Sequence, residues 1–164
     1  MFSEYFWALV DRGGATLYEF WQFLHVISAI VWVGSATLAL FLSLRLGAAK
    51  DNPIAAPATR LIEMTSVPLF MIVSLSTLVT GLVLAFGWTG FGPLWIKIGL
   101  GGIAVSLIMG FGYFKPQIAK LDAAMKERGP EDSGVQALVR QTDIMATLEL
   151  VVFLVVVWAM VTKP

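Results

Sequence analysis

The chain contains no cysteine. That absence removes structural disulfides, CxxC redox chemistry, thiolate metal sites and iron–sulfur clusters in one step. Histidine is nearly absent as well, with His25 the single imidazole in 164 residues. Charged side chains make up only 13% of the chain, and eleven basic residues are balanced by eleven acidic ones. A neutral chain offers no basic stripe for a phosphate backbone, so nucleic acid is excluded as a partner. Ser-His-Asp, P-loop and zinc-ligand spacings are missing, which leaves none of the usual constellations of soluble enzymes. The first sixteen residues hold two acids and Arg12 as their one basic side chain. They lack the charged, apolar, small-residue order of a cleaved signal peptide, so nothing is expected to be removed.

Apolar surface is what the chain has in abundance. Hydrophobic residues make up 58% of it and the mean hydropathy is +0.82, against about 45–50% apolar residues in soluble domains. Runs long enough for the roughly 20 helical residues that cross about 30 Å of hydrocarbon occur four times, at 17–46, 61–86, 91–114 and 142–162. Before the first run, Phe2, Tyr5, Phe6, Leu9 and Val10 recur at helical spacing and stop at Gly13-Gly14. The pattern predicts an all-α fold, a membrane four-helix bundle with a short N-terminal interfacial helix. Residues 1–164 read as a single transmembrane domain. After span three the helical period continues past Pro116 to Met125; Gly129-Pro130 breaks it, and Glu131-Asp132-Ser133 supplies caps for a restart.

Lys and Arg are unevenly shared between the two faces. Arg45, Lys50, Arg60, Lys115, Lys120, Lys126, Arg128 and Arg140 flank the long loops, while the other face has Arg12, Lys97 and Lys163. The positive-inside rule then expects an inner (cytoplasmic) membrane protein with both termini outside. Trp7, Trp21, Trp88, Trp95 and Trp158 fall toward the outer ends, and Trp32 alone lies deep.

An ionisable side chain at the centre of a membrane helix costs about 2.5–3.5 kcal/mol on insertion scales, so each needs a reason. His25 sits about two turns into span one, with Ser28 and Trp32 on its face and Gly34 nearby. A neutral imidazole there is either a haem or metal ligand or a hydrogen-bonding partner of another helix. Lys97, near the start of span three, is expected at a depth similar to that of His25. Its ammonium either snorkels to the headgroups or meets the carboxylates of a bound ligand such as a porphyrin. Glu149, two turns into span four, reads as a protonated acid bonded to a Ser or Thr of another span, or as a station in a proton path. Glu63 with Arg60, and Asp143 with Arg140, read as ion pairs at the loop ends of spans two and four.

Small residues at Gly99, Gly102, Ser106 and Gly110 in span three, and at Ser74, Thr77 and Gly81 in span two, mark faces for close helix approach. The methionines Met64, Met71, Met109, Met125, Met145 and Met160 are scattered, a poor pattern for copper.

The segment LHVISAIVWVG, with His25 followed by Trp32 and Gly34, resembles the first helix of HemJ-like and CopD-like membrane proteins. It also resembles a related group of predicted integral membrane proteins of unknown function. TGLVLAFGW (80–88) and LWIKIGL (94–100) resemble the end of the second helix and the start of the third in the same families. The resemblance implies haem b as cofactor, with His25 as metal ligand and Lys97 and Trp32 beside the cofactor. In HemJ-like proteins haem serves protoporphyrinogen oxidation, and CopD-like proteins are associated with copper uptake. HemJ-like sequences carry a further histidine near the end of the third helix, where this chain has Gly112, Tyr113 and Phe114. The group of unknown function is therefore the nearest. With one histidine, a second axial ligand would have to come from a methionine, from Lys97, or from His25 of a second copy in a homodimer. The alternatives are an accessory subunit of a larger membrane complex, packed through its small-residue faces, and copper transport.

Overall fold

The computed structural model describes the backbone of residues 2–48, 55–129 and 131–164, and side chains within 13–45, 69–129 and 131–164. Every element is helical: α1 (Phe2–Ala48), α2 (Ala55–Leu84), α3 (Leu94–Met109), α4 (Lys115–Arg128) and α5 (Ser133–Thr162). Four helical stretches, Gly13–Arg45, Leu69–Thr89, Leu94–Arg128 and Ser133–Thr162, are long and apolar enough to cross a membrane. The protein is an all-α, multi-pass membrane bundle.

Contacts across the bundle fix its topology. Against α2, His25 meets Thr77 and Thr80 while Trp32 meets Phe70. Against α5, Trp32 meets Phe153 and Ser43 meets Asp143. In both pairs one number rises as the other falls, so α1 runs antiparallel to α2 and to α5. Helix α3 is antiparallel to α5 by the same argument, since Gly99 lies at Met160, Gly102 at Val156 and Ser106 at Glu149. The closest associations are α1 with α2 and α3 with α5, and α2 touches α3 only lightly. The end at which α1 begins and α5 finishes is called the upper end below.

One expected boundary is absent. Gly13-Gly14 does not separate a short interfacial helix from the first span, because α1 runs unbroken through both glycines. Neither has the positive φ that ends a helix; among the described glycines only Gly90 and Gly129 do. Each helical glycine costs about 1 kcal/mol relative to alanine, less than the several kcal/mol of leaving a backbone group unbonded near lipid. The side chains of Phe2 to Val10 lie outside the described ones, as do those of Glu63, Arg60 and Met64.

Two turns depart from α-helical spacing. Ala85–Thr89 is a π turn that ends where Gly90, at φ 68°, donates its N–H to the Ala85 carbonyl. Gly110–Phe114 is another, and it joins α3 to α4 without interruption. Its cause is Pro116, which has no N–H and would crowd the carbonyl four residues back; widening the turn before it lets the helix continue. Beyond it, Leu121, Ala124 and Val135 form a small core between α4 and α5. The restart of α5 follows the expected cap: Asp132 accepts from the Gly134 and Val135 amides at 2.9 and 3.2 Å.

Candidate functional site

Between the helix pairs, at the upper end, lies a cavity of about 510 Å³. Its walls come from α1, α2, α3 and α5, so it is broader than a cleft between helices one and three. The three tracts that carry the family likeness converge on it: His25, Trp32 and Gly34 from the first, Gly81 and Ala85 from the second, Trp95, Ile96 and Gly99 from the third.

The arrangement of His25 follows from α2. Its ring lies over Gly81, where a Cβ would approach the imidazole to 3.0 Å, so only a residue without a side chain fits comfortably. Its Nδ1 is 3.0 Å from the Thr77 carbonyl and 3.1 Å from Thr80 Oγ1. A carbonyl can only accept, and the Thr80 hydroxyl already donates to the Ser76 carbonyl at 2.7 Å. Nδ1 must therefore carry the proton and donate it to both oxygens. Nε2 is then left with its lone pair, and no described residue bonds to it. Thr77 and Thr80 are buried at 4% and 6% exposure, so these partners are part of the packed interface.

Trp32 forms the floor. It is 4% exposed, with ring centroids 4.7 Å from Phe153 and 5.9 Å from Phe70. Its indole N–H is buried and meets no acceptor among the described residues. An unanswered buried donor costs about 1–3 kcal/mol, so the walls leave two nitrogens unmatched, one acceptor and one donor. The α1–α5 register adds a third side chain. Seven residues up α1 from Trp32 is His25, and seven along α5 from Phe153 is Met160. Two helical turns keep a residue on its face, so His25 and Met160 occupy the same level, with the Met160 methyl packed where Gly99 of α3 has no side chain.

Lys97 is exposed near the start of α3 and is not among the residues lining the cavity. The cation that does line it is Lys163, the residue that ends α5, with Nζ 5.6 Å from the centre of the Trp95 ring. Sequence reading did not single out Lys163, Met160, Phe153 or Thr80. The tract beginning at Thr80 was the available signal for the last of these.

The remaining polar residues belong to the packing. Ser106 donates to Glu149 Oε1 at 2.7 Å, with both residues buried, so the Glu149 carboxyl does meet a hydroxyl of another span. Asp143 does not pair with Arg140; it accepts from Ser43 of α1 at 2.7 Å, because α1 passes within reach at that level. The ion pairs among the described residues are Lys126–Asp122 and Arg128–Asp132, both around α4. Met71 is exposed and outside the cavity lining. No group of three or more His, Asp or Glu side chains converges among the described residues.

Residues 19–164 match a family described as predicted integral membrane protein (DUF2269). The chain belongs to the DUF2269 family. No curated protein and no solved structure matches it. For this DUF2269 chain the match takes in the first membrane helix from residue 19 on, the other three in full, and every residue of the cavity except Tyr18.

Proposed function

We propose that this protein binds haem b in the upper cavity, with Nε2 of His25 as an axial ligand to the iron. The observation that carries the reading is the fixed tautomer of His25. A ligating histidine nearly always donates its other N–H to a carbonyl or comparable acceptor, which orients the ring and raises its basicity, and Thr77 and Thr80 fill that role here. Among the described residues no group of three or more His, Asp or Glu converges, an arrangement that suits haem better than a bare metal ion, since the porphyrin brings four nitrogens and needs only one or two ligands from the protein. The apolar lining suits a macrocycle, and the volume lies within the about 300–1,000 Å³ of small-molecule sites. Trp32 offers a donor to a bound group at the cavity floor. Met160, level with His25, is the methionine best situated as a second ligand. Bound there, haem would supply one-electron chemistry or an iron site for a small molecule. Porphyrinogen oxidation belongs to the HemJ-like resemblance, whose additional histidine has no counterpart here: Gly112, Tyr113 and Phe114 lie in the π turn, outside the cavity lining.

Protein purified in mild detergent from haem-replete cells is expected to show a Soret band. His25→Ala should abolish it while leaving the helical circular dichroism intact. A colourless wild-type preparation overturns the reading. The Lys and Arg bias further orients the upper end away from the cytoplasm. With no native cysteine to interfere, Thr162→Cys should react with an impermeant maleimide in whole cells and Lys126→Cys should not.

A further inference from the structure

The cavity is apolar along most of its wall and charged at one point. Among its described lining residues Lys163 is the sole side chain with a fixed charge. The backbone leaves α5 there in the left-handed conformation, φ 50°, with the Lys163 N–H capping the Ala159 carbonyl. The ammonium lies over Trp95, whose ring also lines the cavity. An aromatic face holds a cation electrostatically and leaves its N–H donors free to meet an anion. At the opposite end, Trp32 and Phe153 close the cavity with rings. From Phe153 to Lys163 is ten residues, or about 15 Å of helix, so the charge and the apolar floor stand at opposite ends of the space.

We infer that Lys163 is the anion-binding residue of this site, selecting ligands that combine an apolar body with a carboxylate directed to the upper rim. This rests on the haem reading and assigns to Lys163 the propionate contact that the sequence suggested for Lys97. A cation at the rim costs little when the site is empty, because it remains at the end of its helix. It gains strength when the ligand body has displaced water from the cavity below.

The test compares haemin with haemin dimethyl ester, which has the same macrocycle and no carboxylate charge, by Soret titration of the apoprotein in mild detergent. Lys163→Gln should bind haemin roughly threefold to tenfold more weakly than wild type and bind the ester equally well. Lys163→Arg should restore haemin binding, and Lys97→Gln should leave both unchanged. Equal ester binding also verifies that the variant is folded. Haemin affinity unchanged in Lys163→Gln, or haemin and ester weakened alike, overturns the assignment while leaving the haem reading standing. Failure of wild type to shift the Soret band of either porphyrin overturns both.

Discussion

At the upper end of the bundle α1 and α5 form facing walls of a cavity, whereas toward the other end the same two helices are joined by the Ser43–Asp143 hydrogen bond. Helix α3 shows the same division along its length. Gly99 and Gly102 admit Met160 and Val156 of α5 along the wall of the cavity, and one turn beyond Gly102 Ser106 bonds Glu149 in a buried contact. The polar residues therefore differ in purpose. In the packed half Glu149 finds its partner within the chain, while the buried Gln117 Nε2 of α4 meets none among the described residues. Around the cavity, His25 at Nε2 and Trp32 at Nε1 meet none either. The comparison separates a polar group that completes an interface from one left without a partner on a cavity wall, a distinction that residue type alone does not make.

Three comparisons sharpen this contrast, taken from the largest expected effect. Gly102→Leu places a side chain where Val156 already lies. Overpacking of this kind costs about 1–3 kcal/mol and should lower the thermal midpoint in detergent clearly. Gly34→Ala, at a helical site with nothing within 4 Å, should not lower it and should raise stability by up to about 1 kcal/mol through helix propensity. Equal effects would remove the distinction between a close-packed face and an open one. Next, Glu149→Ala should destabilise the bundle by about 1–3 kcal/mol, since it strands the Ser106 hydroxyl. In a double-mutant cycle with Ser106→Ala the two should couple by roughly 1 kcal/mol, with no change in haemin affinity. A change in haemin affinity instead would mean that the packed half takes part in binding. The smallest effect is expected from Thr80→Val, which removes one of the two acceptors of His25 Nδ1 and leaves the Thr77 carbonyl. Haemin affinity should fall by about tenfold, the lower range for loss of an outer-shell partner, with stability nearly unchanged.

The bundle was legible because membrane helices announce themselves by unbroken apolar length, and the α5 cap because Asp132 follows a Gly-Pro break. His25 was legible because an imidazole in an apolar run needs a reason. The remainder of the cavity was not. Phe153, Val156 and Met160 are apolar residues in an apolar helix, and whether such residues face lipid or a ligand depends on the neighbour opposite them. Lys97 and Lys163 illustrate the same limit. Both stand near the upper end, but one residue along a helix turns the side chain by about 100°, and depth says nothing about direction. Gly13-Gly14 misled because glycine is a dependable breaker only where water can take over the freed backbone groups.

The wide turn before Pro116 carries one more consequence. With no amide at Pro116, the carbonyl of Gly112 lacks its usual donor, and Gly112 is exposed rather than packed against another helix. A π turn, whose donors stand five residues on, is the spacing by which a helix passes a proline without leaving a carbonyl such as that of Gly112 an orphan facing lipid. Counting back from Gly112 at 1.5 Å per residue, Leu94 lies about 27 Å away, close to the thickness of the bilayer core. Helix α4, about 20 Å long, packs on the start of α5 through the small core of Leu121, Ala124 and Val135.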